Sequence, residues 1–288
     1  MDPTLSVILT ALGAVGVSGL WTAGRFLRRW GRHHRFYRFQ RTEHADFVLT
    51  TSLTRERGGH LIAYLRSTTS VGNMKASTEL AQAIGYGTPR RRLNVSASTE
   101  LDSRLSGDLI VIGLPGKNPV SRSVVEHVQR RHPELHLDIQ ESQDGLGMSL
   151  GTFARAYDSA TQPENKLPAS DLAIIIFWVN PFTVRKRRLI LCGGFTTYGT
   201  EAAARYLVED VRDERLPHLR GANPALASLW GQRWICFAMI VEVTIIGDQA
   251  VEVNEVAFRA LDDRSGAAGD DETARESSRP VLAGTPSS

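Results

Sequence analysis

The chain has 288 residues, 42% of them apolar and 23% charged, with a formal charge of +3. That length can bury one large core or two small ones, and the composition is ordinary for a globular protein. The stretch from Arg25 to Arg41 holds seven arginines and no acid, so the +3 total less this +7 leaves the remainder at −4. This removes the charge argument for a folded domain that binds nucleic acid. Cys192 and Cys236, the only cysteines, are too few for a disulfide framework and lie in apolar runs, as buried thiols in a reducing compartment do.

In chain order, the first element is apolar. No charged residue occurs from Pro3 to Gly24, and about 20 residues at 1.5 Å each make a helix of roughly 30 Å, the thickness of a bilayer core. Asp2 precedes this run while Arg25, Arg28, Arg29 and Arg32 follow it, the reverse of a cleaved secretory signal. The expectation is a transmembrane helix over 1–24, in a single-pass protein of the cell membrane. Flanking arginines stay on the cytoplasmic side, so the N-terminus is expected outside and the main domain inside. Trp21, Phe26 and Trp30 suit the headgroup level. Thr10, Ala14, Ser18 and Thr22 form a small-residue stripe, which suggests a homo-oligomer packed through this helix.

The basic aromatic segment, 25–44, sits directly after the span, where Arg25–Arg41 suit anionic membrane lipids better than nucleic acid. His33 and His34 read as interfacial.

A cytoplasmic α/β domain is expected over 45–262, and a disordered tail poor in bulky apolar residues over 263–288. Within the domain, His60 to Ser67 reads as a strand and Met74 to Ile84 as a helix. A basic turn at Pro89 to Arg92 leads to strands at Leu93 to Ser98 and Asp108 to Gly113, and a helix from about Arg122 to Arg131. Leu135 to Ile139 reads as a short strand. Gln140 to Lys166 reads as an insertion with one weak helical stretch at Thr152 to Tyr157. Asp171 to Val179 and Arg188 to Gly194 are continuous apolar runs, the mark of strands covered on both faces. The turn between them is too short for a crossover, so they pair antiparallel. A helix from about Glu201 to Arg212 follows, then a hairpin of Trp234 to Ile246 and Val251 to Leu261.

Three loops share one make-up: a strand ends, glycine turns the chain, and a helix begins near Ser or Thr. They are Val71 to Lys75, Gly113 to Ser121, and Gly193 to Thr200. Such loops let backbone N–H groups hold an anion. The expected ligand-binding residues are Gly113, Gly116, Lys117, Asn118, Ser121 and Arg122 on one loop, and Gly193, Gly194, Gly199, Thr200 and Glu201 on another. Lys117 and Arg122 would supply counter-charge and Asn118 a polar reader, while Glu201 would cap its helix or meet a ribose hydroxyl. The spacing from Gly194 to Gly199 is that of a P-loop, but Thr200-Glu201 stands where Lys-Ser/Thr is required. Gly147 to Gly151 matches G-x-S-x-G, with Asp171 and His218 following, yet no apolar strand precedes Ser149. His127, His132 and His136 lack the spacing of a metal set and read as surface residues.

The combination of LIVIG-x-P-x-x-N-P with LILCGG-x-x-x-x-GT resembles ligand-binding Rossmann-like domains in general. The fold expected is α/β: the transmembrane helix, then a Rossmann-like mixed sheet with helices on both faces and an antiparallel edge hairpin. The function expected is a membrane-anchored sensor or effector that binds a nucleotide-like or other anionic small molecule. One alternative is a nucleotide-directed hydrolase or glycosyl-transferring enzyme with Glu201 or Asp144 as acid/base. Another is a protein-binding scaffold. No cofactor or catalytic residue is assigned.

Overall fold

A computed structural model describes residues 45–58, 62–87, 93–98, 105–142, 145–157, 169–211, 236–247 and 249–261. The expected membrane span, the basic segment up to residue 44, the tail, the turn at 89–92, Asp144 and His218 lie outside them. No helix among the described residues is long and apolar enough to cross a membrane.

The protein is a mixed α/β structure built on a seven-stranded sheet. In chain order its elements are β1 (Ala45–Leu49), β2 (Ser52–Gly58), β3 (Ile62–Thr68), α1 (Val71–Gly87), β4 (Leu93–Ala97), β5 (Asp108–Ile112), α2 (Pro119–Arg131), β6 (Asp138–Ser142), β7 (Gly145–Leu150), β8 (Phe153–Tyr157), β9 (Ser170–Val179), β10 (Arg188–Gly194), α3 (Thr197–Tyr206), β11 (Phe237–Ile246) and β12 (Gln249–Ala260). The large sheet runs β12-β11-β9-β10-β5-β1-β4, with β2–β3 and β6–β7–β8 forming separate small sheets. From β4 to β10 the strands are parallel; β9, β11 and β12 join antiparallel.

Strand β9 explains why the sheet has two covered faces. Every residue from Asp171 to Val179 is buried. Alternation sends Ala173, Ile175 and Phe177 to one side and Leu172, Ile174, Ile176 and Trp178 to the other. The first side is covered by α1 (Ala76, Leu80, Ala83, Ile84) and α3 (Ala202, Ala203, Tyr206). The second is covered by α2 (Val120, Val124, Val125, Val128) and by Met148 and Leu150 of the small sheet.

Local sequence sets the helix starts. Asn118 caps α2 by accepting from the N–H groups of Val120 and Ser121, and Pro119 occupies the first turn, where its missing N–H costs nothing. The helix therefore begins three residues before Arg122. Thr196 caps α3 in the same way, accepting from Gly199 N–H, so that helix starts at Thr197 rather than Glu201.

Two further expectations are corrected. Residues 152–157 hold no helix: Phe153–Tyr157 is β8, paired with β7 in a three-stranded antiparallel sheet that occupies much of the expected insertion. Leu135 closes a short 3-10 turn instead of opening a strand. The hairpin β11–β12 does lie at the sheet's edge, and the β9–β10 pair is antiparallel.

Candidate functional site

The site begins with two neighbouring parallel strands. β5 and β10 end side by side, with Ile112 level with Cys192, so the 113–122 and 193–201 loops are brought together. Gly113 N–H donates to Cys192 O at 2.8 Å. A Cβ on Gly193 would lie 2.8 Å from the Gly113 carbonyl carbon, so glycine is what lets the two loops touch. Gly113 has φ +112°, and a side chain there would strike Thr50.

Most polar groups of these loops are already used. Asn118 is fully buried; besides capping α2, it donates from Nδ2 to Ile112 O at 3.2 Å. Ser121 Oγ donates to Gly113 O at 2.6 Å. Thr200 Oγ1 accepts from Gly194 N–H at 3.0 Å and donates to Thr196 O at 3.2 Å. Glu201 does not cap α3; its carboxylate meets Lys75 Nζ of α1 at 3.1 Å. Gly199 has no positive φ. It is small because the Asp171 carboxylate fills the space a side chain would take.

Gly116, Lys117 and Arg122 remain exposed at the surface, Arg122 donating from Nη2 to Pro115 O at 3.3 Å. Asn118, expected as a polar reader, is a structural brace.

Asp171 is the chemically unusual group. It accepts from the N–H and hydroxyl of Thr196, at 2.9 and 2.6 Å. Burial pushes its carboxyl above the ordinary aspartate range, partly opposed by the hydrogen bonds from Thr196. Burial likewise raises the Cys192 thiol, so it is an inert core residue rather than a nucleophile.

A third set of residues escapes sequence reasoning because β1 is only five residues long and no glycine marks its exit. β1 lies between β4 and β5. Its crossover leads through α1 to β4, whereas β5 leads through α2 on the opposite face. The chain paths diverge between β1 and β5, the position where open α/β sheets take ligands. Thr50 N–H and Oγ1 donate to Ile112 O at 2.9 and 2.8 Å. Thr69 Oγ1 donates to Thr50 O at 2.8 Å, and Asn73 Nδ2 reaches Thr50 O and Thr69 Oγ1 at 3.4 Å each. Ser70 accepts from Asn73 N–H at 3.2 Å at the start of α1. A short apolar run closing on Thr-Thr, FVLTT, was the available signal.

Val71 to Lys75, expected as a loop before a helix at Met74, is instead the opening of α1, and it joins the third loop: Gly72 packs directly on the Thr197 backbone. The two loops and the start of α1 thus gather at one end of the parallel strands, their carboxyl edge.

The motifs set aside on sequence find other places. Ser149 lies within β7, donating to His136 O at 3.0 Å, with no nucleophile turn. His132 is buried, not at the surface, with its ring edge-on to Trp178 and its Nδ1 3.2 Å from Glu134. Among the described residues no group of His, Cys, Asp and Glu could hold a metal.

No protein-family model matches the chain, and no curated protein is significantly similar to it in sequence.

Proposed function

We propose that this protein is a membrane-anchored cytoplasmic module of Rossmann-like build, a sensor or effector that takes a nucleotide-like or other anionic small molecule at the carboxyl edge. The observation that carries the reading is the meeting of the 113–122 and 193–201 loops beside the β1 exit, with Lys117 and Arg122 exposed on the rim. Asn118 already takes the N–H groups of Val120 and Ser121 at the start of α2, so the anion is held chiefly by the two cations through charge-assisted contacts. The hydrogen bonds of Asn118, Ser121 and Thr200 hold the loops in place before a ligand arrives, which lowers the cost of ordering on binding. Anchoring through 1–24 would couple this site to association of the membrane helices.

The test is mass spectrometry of small molecules retained by the full-length protein purified in detergent, followed by titration with the retained molecule. The expected ligand carries phosphate or carboxylate, and Lys117→Ala with Arg122→Ala purifies without it. An empty wild-type protein that also fails to bind a panel of nucleotides overturns the reading.

A further inference from the structure

The opposite end of the parallel strands, their amino edge, carries a second surface. The eight-residue connection from β9 to β10 is Asn180-Pro181-Phe182-Thr183-Val184-Arg185-Lys186-Arg187. Asn180 is fully buried and fixes its base, donating from Nδ2 to Leu105 O and Gly107 O at 2.7 Å each and accepting from Phe182 N–H at 3.0 Å. Asn180 N–H donates to Arg187 O at 2.8 Å, closing the loop. The basic run then divides. Arg187 and Arg188 are buried, and the Arg188 guanidinium lies 4.2 Å from the centre of the Phe177 ring. Arg185 and Lys186 are exposed, and beside them Val184 stands 82% exposed at the tip.

The last turn of α2 extends the same surface. His127 meets Phe182 with ring centroids 5.3 Å apart, and Arg130 Nη2 lies 3.4 Å from His127 Nδ1. Arg130 and Arg131 are exposed. The described acids at this edge include the exposed Glu126 and Glu134, the half-buried Asp46, whose carboxylate accepts from Asn94, and the buried Asp108. Arg185 and Lys186 directly follow the exposed Val184, and Arg130 and Arg131 stand on the adjoining end of α2.

The partner follows from where the chain joins the sheet. Ala45 is level with Asp108 of β5, and Asp108 accepts from Arg188 N–H at 2.7 Å. The first residue of β1 and the end of the basic loop are therefore on one edge, two strand spacings or about 10 Å apart. The chain reaches that edge from a stretch with seven arginines between 25 and 41.

We infer that the β9–β10 loop and the end of α2 dock on an anionic bilayer, with Val184 entering the headgroup layer and Arg185, Lys186, Arg130 and Arg131 facing lipid phosphates. An interfacial contact of this kind combines a small apolar insertion with clustered cations. Docking points the carboxyl edge away from the lipid, so its ligand comes from the aqueous phase. The inference rests on the anchoring part of the proposed function and not on its ligand part.

The test uses an environment-sensitive fluorophore on Val184→Cys in the full-length protein, since both native cysteines are buried. Vesicles of phosphatidylcholine with and without phosphatidylglycerol are compared. Ile246→Cys, 65% exposed at the carboxyl edge, serves as the control position. The expected result is a blue shift at 184 only with phosphatidylglycerol, none at 246, and a docked fraction reduced about tenfold by Arg185→Gln with Lys186→Gln. Silence at 184, an equal response at 246, or the same shift with duplex DNA in place of lipid overturns the proposal. Carbonate extraction of the same membranes reports on the anchor separately, and ligand retention reports on the crevice.

Discussion

The loops after β5 and β10 look alike in sequence and differ in the folded chain. Both follow a buried parallel strand, both begin with glycine, and both lead into a capped helix. The 193–200 loop is closed on itself: Asp171, Thr196 and Thr200 take up its hydrogen bonds, and Gly194 packs 2.6 Å from Gly199 when given a Cβ. The 113–118 loop has a buried brace in Asn118 but leaves Lys117 at the surface. Both loops are partly buried, so the difference lies in pairing: a polar group already bonded within its loop is not offered to a ligand, whereas the exposed Lys117 ammonium is. Similar loop chemistry therefore yields a wall in one place and a rim in the other.

The largest effect that separates them is expected from Gly199→Val. Its side chain must displace the Asp171 carboxylate, and overpacking of this kind costs roughly 1–3 kcal/mol. Urea unfolding measures it; an unchanged midpoint would show that the closed loop yields easily. Next is Asn118→Ala, which removes the α2 cap and should destabilise by about 1–2 kcal/mol. A loss well below that range, in the same assay, would remove the brace from the open loop.

The third test depends on pH. Asp171 is raised in the folded chain because burial disfavours its charged form. The folded state then keeps a proton that the unfolded state has released. Stability consequently falls as pH rises from the ordinary carboxylate range through the raised folded value. Asp171→Asn lacks that proton, so wild type should lose stability relative to the variant across this window and hold a constant difference above it. A difference that is flat with pH would mean that Asp171 is not desolvated.

The smallest expected change is that of Lys117→Ala, below about 0.5 kcal/mol in stability. Its effect on anion affinity should instead be at least about tenfold, the loss of one charge-assisted contact. Calorimetry with the retained ligand checks the second figure. If the variant unfolds more easily and binds as before, the contrast between rim and wall disappears.

The fold was legible where burial is complete. β9 and β10 are continuous apolar runs, and their turn is too short to be anything but antiparallel. Phe153–Tyr157 is ambiguous in sequence because five residues are too few to fix the period, and pairing with β7 decides for a strand. The helix starts are not legible in sequence because Asn118 and Thr196 reveal themselves as caps only when their N–H partners are known. The two glycine loops were legible from their spacing. The contribution of Thr50, Thr69 and Asn73 was not, since it depends on which strand β1 adjoins. The division of Arg185-Lys186-Arg187-Arg188 into an exposed and a buried pair is likewise invisible in a run of four basic residues.

The hairpin β2–β3 has a practical consequence. Ser52 pairs with Thr68, and the Thr69 hydroxyl closes on Thr50 O at 2.8 Å, so the chain leaves the large sheet and returns to it at nearly the same point. A module with closely spaced termini grafted between Thr51 and Thr69 is therefore expected to leave the register of β1 against β4 and β5 in place. A circularly permuted fluorescent domain placed there would turn events at the carboxyl edge into an optical signal.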